Sequence, residues 1–352
     1  MSLSDLENFV LIPGKHGEGD KLYELGKKGS YSENSFALLP YHHPAKQKLN
    51  AAFYPVVGES VFYHEAGKQP ENRITLTPQL NKQAYLDRVQ LLKQHIQLGN
   101  IYEINFCQQF IAENIGINPL ATFYELYRIS KAPYACLVKL GKQYIISASP
   151  ELFLEKKGNG LKTKPIKGTA PRGKNEAEDL DQKNQLYHSE KERTENVMAV
   201  DVARNDLSIL ATKGSVKVNA LYNIETFETV HQMVSTVSCD LKPELDFENI
   251  MAATFPMASM TGAPKTRAMD LIDETENFER GFYSGAMGLI APGGDFTLQV
   301  IIRSIFYDAG ENKLSLAVGG AITYLSDPEK EYEECLLKAK GLLKALHADI
   351  KV

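Results

Sequence analysis

Along residues 78–98, "PQLNKQAYLDRVQLLKQHIQL", the apolar positions Tyr85, Val89, Leu92 and Ile96 recur at helical spacing. One face of a helix is therefore apolar, and Gly99 is placed to close it. The pattern then switches to the strand-like "IYEINFCQQF", and a helical period returns around 119–130. Residues 135–165 read as strands, with hairpin signals at Gly141-Lys142 and Asn159-Gly160. One long helix is expected over 183–204, and another beginning near Pro264. Apolar strands broken by "PGGD" and "DAGENK" fill 285–323, and a last helix starts near Asp327-Pro328. Residues 1–75 are rich in breakers ("PGKHGEG", "YHHPAKQ", "EAGKQPEN") and read as short strands and loops that complete a larger fold. Hairpin-joined strands with helices between groups predict an α+β fold with antiparallel sheets, not a βαβ array.

Composition narrows the field. The 352 residues are 43% hydrophobic and 24% charged, enough for one large domain or two ordinary ones. The net charge is -5 and no basic tract is interleaved with aromatics, which argues against a nucleic-acid partner. The start, "MSLSDLENFV", has no basic stretch followed by an apolar run, and no segment approaches the ~20 apolar residues of a membrane span. Cys107, Cys136, Cys239 and Cys335 are scattered, against a disulfide framework and a thiolate zinc site. A cytoplasmic globular protein without a membrane partner is the expectation.

Several residues stand out chemically. In "TKPIKGTAPRG" Lys167 lies in a turn-like segment between Pro165 and Pro171, either as a solvated charge or as an amine aimed at a ligand. Glu195 shares a helix face with Met198 and Val202; it either reaches water at the edge of that stripe or faces a cation. The last helix has an apolar stripe of Tyr332, Cys335, Ala339, Leu342 and Leu346, with Glu331 and Glu334 beside it. These acids either suit the helix dipole or form a pair for a hard cation such as Mg2+. Arg303 lies in the apolar "QVIIRSIF", on the side of Ile301 and Ile305, and needs a carboxylate from the protein or from a ligand. Gly319 and Gly320 interrupt a strand pattern, as a bulge or as a close backbone approach. "TGAPKT" lacks the spacing of a phosphate loop, the histidines form no metal-spaced pair, and no G-x-S-x-G elbow is present.

In order along the chain, "SPELF", "PIKGTAPRG", "KERTENVMAVDVARNDL", "TGAPKTRAMDLIDE", "YSGAMGLI", "IIRS" and "DPEKEYEECLLKA" resemble the chorismate-utilising enzyme family. The resemblance implies two packed, largely antiparallel β-sheets flanked by helices. It also implies a single chorismate-binding domain over 1–352, with 78–345 as catalytic core and 1–75 as a reduced N-terminal portion. Members that form anthranilate carry alanine where Lys167 stands; "PIKGT" resembles the branch that aminates chorismate at C4 on the way to p-aminobenzoate and folate. There the lysine is a nucleophile, kept partly neutral in a closed pocket, that adds to C2 as the C4 hydroxyl leaves, before ammonia attacks C4.

By the same resemblance Glu151 is the general acid, with a pKa near neutrality. Glu195 and Glu334 are Mg2+ ligands, and Glu331 holds a metal-bound water. Gly168, Thr169, Tyr283, Arg303 and the segment Gly319, Gly320 and Ala321 contact chorismate, Arg303 taking the enolpyruvyl carboxylate. Ammonia comes from a separate glutaminase subunit, because no cysteine here lies in a G-x-C-x-G elbow. The chain departs from the pattern where Gln232 replaces a histidine beside His231, where Glu103 replaces glutamine, and where Ala321 replaces glycine. The alternatives are an anthranilate- or isochorismate-forming member, or a non-catalytic chorismate-binding subunit.

Overall fold

The computed structural model describes residues 3–14, 18–63 and 73–351. The breaker-rich "EAGKQPEN" lies outside them. Strands dominate; hairpins join neighbours such as Tyr134–Leu140 and Gln143–Ser149, whereas pairs such as Glu103–Glu113 with Lys313–Ile322 bring together distant parts of the chain. One antiparallel series passes through Ile74–Pro78, Glu103–Glu113, Lys313–Ile322, Ser304–Asp308, Gln143–Ser149, Tyr134–Leu140, Asn8–Ile12, Asp20–Leu25 and Ala52–Phe62. Ala52–Phe62 is long enough to pair also with Ser35–Leu39. From there a second antiparallel series runs through Ala286–Ile290, Phe296–Val300, Leu152–Lys157, Gly160–Lys164, Val230–Asp240 and Lys217–Thr226. Ile166–Pro171 continues along Val230–Asp240 after a shift in register. Ala348–Ile350 adds a parallel pairing to Ile74–Pro78. The strands of the N-terminal 75 residues are thus paired into both series, and the α+β, largely antiparallel class is the one observed.

The two series pack face to face. Cys107 and Ala317 of the first share an apolar cluster with Leu154, Ala286 and Leu298 of the second. Val10, Val138 and Ile145 meet Phe36, Leu38 and Met287 in another. The outer face of the first series is covered by the helices Lys82–Gln97, Pro119–Ser130, Lys265–Thr275 and Pro328–Leu346. Each presents an apolar stripe and leaves its polar face to water. All four cysteines are free and buried. Among the described residues no helix is long and apolar enough to cross a membrane.

Four expectations are corrected. The helix expected over 183–204 is two helices, Glu176–His188 and Glu190–Leu210. Ser189 stands between them in an extended conformation and accepts from the Glu192 N–H, so it caps the second helix instead of continuing the first. The second hairpin turns at Gly158-Asn159, where Gly158 has φ 54, and not at Asn159-Gly160. "QVIIRSIF" is not one strand: Phe296–Val300 belongs to the second series and Ser304–Asp308 to the first, with Arg303 at φ 51 where the chain crosses between them. Finally, the buried face of Glu190–Leu210 carries Glu195, Asn196, Ala199, Val200 and Ala203, while Met198 and Val202 are half-buried.

Candidate active site

Lys167 is on a strand, not in a turn. It belongs to Ile166–Pro171, where Gly168 at φ 90 supports the register shift against Val230–Asp240. A side chain at Gly168 would come within 2.9 Å of Glu192 Oε2. Lys167 is only 8% exposed. Its Nζ donates to Oε1 of Glu103, itself buried on Glu103–Glu113. Burial disfavours the ammonium, but the charges of Glu103, Glu195 and Glu151 outweigh it and raise the pKa above the ordinary lysine value. The resting lysine thus departs from the partly neutral amine expected: burial alone favours the neutral form, but the bonded Glu103 carboxylate, first among the neighbouring acids, favours the ammonium.

Glu151, just before Leu152–Lys157, is buried as well. Burial pushes its pKa from 4.5 up to about 7, against the pull of the Ser259 side chain, the Lys167 charge and the Ile166 N–H. A carboxyl in that range holds its proton long enough to donate it near neutral pH.

Glu195, Glu331 and Glu334 converge from two helices, Glu190–Leu210 and Pro328–Leu346. Among the described residues, however, no group of three or more His, Cys, Asp or Glu side chains is already arranged to hold a metal ion. What the three acids share is a lysine. Lys191 Nζ lies 3.2 Å from Glu331 Oε1, 3.7 Å from Glu334 Oε2 and 3.9 Å from Glu195 Oε1. Glu195 Oε1 is buried and accepts no hydrogen bond, and burial pushes its pKa up to about 8. Burial alone would raise Glu334 too, but Lys338 and Lys191 hold it below its ordinary value. Lys338 Nζ bonds both Glu334 Oε1 and the Gly319 carbonyl, each at 2.8 Å. Carboxylate oxygens only, one of them orphaned, gathered around an ammonium: that donor set fits a hard divalent cation.

The other predicted contacts surround this core. Gly319, Gly320 and Ala321 pair with Cys107, Phe106 and Asn105 without any register shift, so the glycines mark a close approach and not a bulge. A Cβ at Gly319 would lie 2.5 Å from Cys107 Sγ, whereas one at Gly320 would face Glu331, Glu334 and Lys338 at 3.5–3.8 Å. Arg303 Nη1 donates to the Lys338 carbonyl at 3.0 Å, not to a carboxylate. Arg303 and Lys338 line a cavity of about 130 Å³ together with Thr169 and Gln232. Tyr283 is buried, and burial raises the pKa of its hydroxyl.

Gln232 pairs across the strands with Thr169, and its Oε1 is buried without a partner. His231 cannot substitute for it. Neighbours on a strand point to opposite faces, and His231 Nε2 bonds Asp179 Oδ1 at 2.9 Å on the other side. Lys265 of "TGAPKT" pairs with Asp206 at 2.6 Å, in keeping with the rejection of a phosphate loop. Lys191, Lys338 and Glu192 had no sequence signal of their own, being ordinary charges on polar-looking helices; only their spacing from Glu195 and Glu334 hinted at a shared face.

Comparison with known proteins agrees with this geometry. Residues 33–344 match the chorismate binding enzyme family. The chain is 40% identical over 268 residues to an aminodeoxychorismate synthase of Streptomyces griseus, covering 76% of this chain and 36% of that one. It is 34% identical over 278 residues to aminodeoxychorismate synthase component 1 of Bacillus subtilis, covering 79% and 58%. It is 36% identical over 272 residues to an anthranilate synthase component 1 of Haloarcula marismortui, covering 77% and 55%. The chain thus spans roughly a third to just over half the length of these relatives. Among solved structures it superposes on anthranilate synthase component I from Streptococcus pneumoniae with a TM-score of 0.77 at 23% identity, covering 95% and 89% of the two chains. The menaquinone-specific isochorismate synthase of Escherichia coli gives 0.75 at 16% identity, covering 98% and 90%. Sequence match and shared fold together make this chain a member of the chorismate binding enzyme family.

Proposed function

We propose that the chain catalyses the amination of chorismate at C4, giving 4-amino-4-deoxychorismate, with ammonia supplied by a separate glutaminase subunit. The observation that carries this is Lys167, buried on a strand between Glu103 and Glu151 instead of solvated in a loop. Relatives named aminodeoxychorismate synthase support the same product.

In the proposed sequence the Lys167 nitrogen forms a bond to ring C2. The diene electrons shift and the C4–O bond breaks. Glu151 gives its proton to the departing oxygen, which leaves as water. Ammonia then bonds to C4, the electrons shift back, and the C2–N bond breaks to return the pair to Lys167. Chorismate and ammonium are consumed; the amino product and water are formed. Arg303, Thr169 and Gln232, around one cavity, and the backbone of Gly319 to Ala321 would hold the ring and its carboxylates, Arg303 through its fork. Glu195 and Glu334, with Glu331, would hold Mg2+, whose chemistry there is to neutralise a substrate carboxylate. The four cysteines of the described residues are all buried and free, so glutamine hydrolysis is proposed to lie outside these residues, on a glutaminase subunit. We place the protein in the cytoplasm on the same reading.

The test is incubation of the purified chain with chorismate, Mg2+ and an ammonium salt, products being resolved by mass and chromatography. The 4-amino product is expected; anthranilate, isochorismate or no turnover would each assign a different role. Glutamine should replace ammonium only after a glutaminase subunit is added.

A further inference from the structure

The raised pKa of Lys167 poses a chemical problem that the proposed amination has to solve. An ammonium has no lone pair to give, so the resting form cannot add to a ring carbon. Something must take a proton from Nζ at the moment of attack. Glu151 is committed elsewhere, since it must carry its own proton to the C4 oxygen. Glu195 and Glu192 on Glu190–Leu210, and Glu334 on Pro328–Leu346, act on Lys167 through their charge, and no hydrogen bond joins any of them to it among the described residues. Glu103 is the carboxylate bonded to Nζ.

We propose that Glu103 is the base that takes the proton from Lys167 and later returns it. The proposal rests on Lys167 being the nucleophile. The proton passes from Nζ to Glu103 Oε1 along the existing hydrogen bond, and the lone pair it leaves behind forms the bond to C2. When the C2–N bond breaks in the second half, the pair returns to Nζ and Glu103 gives the proton back. No oxidant, reductant or further acid is needed.

Burial makes the transfer accessible. In water a lysine ammonium is a weaker acid than a carboxylic acid by about six pK units. Transfer within the pair turns two buried charges into two neutral groups, so a ring that fills the site and excludes the remaining water lowers its cost. Both partners are already more than nine-tenths buried, and Glu103 is held by its strand pairing with Ala263. Glutamine at this position could hold the lysine but could not accept its proton.

That difference gives a readout that a positioning role would not move. Proton transfer inside the pair neither takes up nor releases a proton, so its extent does not change with pH over the neutral range. With Glu103→Gln the free amine must come from solvent titration, which rises tenfold per pH unit below the amine's pKa. Amination rates of wild type and Glu103→Gln should be compared from pH 6.5 to 9 at constant free ammonia; their ratio cancels the titration of Glu151. The expected ratio is about 10⁻² or lower at pH 7, climbing tenfold per unit, with thermal midpoints showing that both proteins fold. Glu103→Met serves for the same ratio if the glutamine variant does not fold. A ratio near one at pH 7, or a low ratio that stays constant with pH, would overturn the assignment and leave Glu103 as an anchor. Lys167→Ala separates the two levels: if it retains full amination the nucleophile itself is wrong, whereas an inactive Lys167→Ala with a flat Glu103→Gln ratio removes only the base.

Discussion

Lys191 donates to Glu331 across two helices, its Nζ 3.2 Å from Oε1. The same ammonium faces Glu334 and Glu195, so a lysine side chain stands where the carboxylates converge. A divalent ion binding these oxygens has to displace it.

Lys191→Met is therefore expected to sharpen the response to Mg2+. With the competing ammonium gone, the Mg2+ concentration that gives half of the thermal stabilisation should fall about fivefold or more, since an ion pair at such distances is worth on the order of 1–4 kcal/mol between the bulk-water and surface limits. Glu195→Gln should remove the Mg2+-dependent rise altogether. Thermal midpoints at graded Mg2+ without chorismate measure both; an unchanged midpoint curve in Glu195→Gln would mean that the ion binds elsewhere.

Lys167→Ala should abolish amination and also weaken the fold. Lys167 is buried against Glu103, so its removal leaves a buried carboxylate unpaired. Losing one partner of such a pair costs about 3–5 kcal/mol. Replacing both, as Lys167→Met with Glu103→Leu, should recover much of the stability and none of the activity. Urea titrations of the three proteins show whether the double variant is the more stable.

Glu151 predicts a pH dependence of definite sign. Its pKa rises from 4.5 to about 7 on folding, so the native state holds a proton that the unfolded state has released between those values. The resulting stability is full below pH 4.5 and is lost as pH rises through 7. Glu151→Gln cannot lose that proton. Its stability relative to wild type should therefore improve by about 3 kcal/mol between pH 4.5 and 7.5, at ~1.4 kcal/mol per pH unit. A constant difference across that range, read from denaturant unfolding, would place the carboxyl in water.

Gly319→Ala and Gly320→Ala should differ although the residues are neighbours. A methyl at 319 would sit 2.5 Å from Cys107 Sγ and 2.7 Å from the Phe106 carbonyl, and the strand has no room to retreat. Overpacking of this kind costs about 1–3 kcal/mol. A methyl at 320 meets Glu331 and Lys338 only at 3.5 Å. Its effect should appear in the KM for chorismate and not in the thermal midpoint.

Much of the architecture was legible because hydrophobic periodicity is a local property. The stripe Tyr85, Val89 and Leu92 and the stripe Tyr332, Cys335, Ala339 and Leu342 are buried as their spacing implies. Asp327 and Pro328 start the last helix, with Asp327 as its cap. Where a local signal competed with a tertiary one, the tertiary one prevailed. A run as apolar as "QVIIRSIF" satisfies a single strand equally well, and only the packing of two sheets bends it at Arg303.

The order of motifs along the chain was enough to identify the family; residue type and spacing singled out Lys167, Glu195 and Glu334, and the resemblance added Glu151. Protonation was a different matter. A sequence does not state which charges share a dry pocket, and a pKa depends on water and neighbours within a few ångströms. Lys167 gave the pattern of a turn lysine, yet strand pairing buries it beside Glu103, 64 residues away, and that contact keeps its proton in place. Lys191 was one more charge on a polar helix until two helices converged and brought three carboxylates to it. The sequence by itself determined which groups are present and which face of each element is apolar, because both follow from residue type and spacing. Only the tertiary structure decided which groups meet and which charge each one carries, because electrostatic energy depends on distance and hydration in three dimensions.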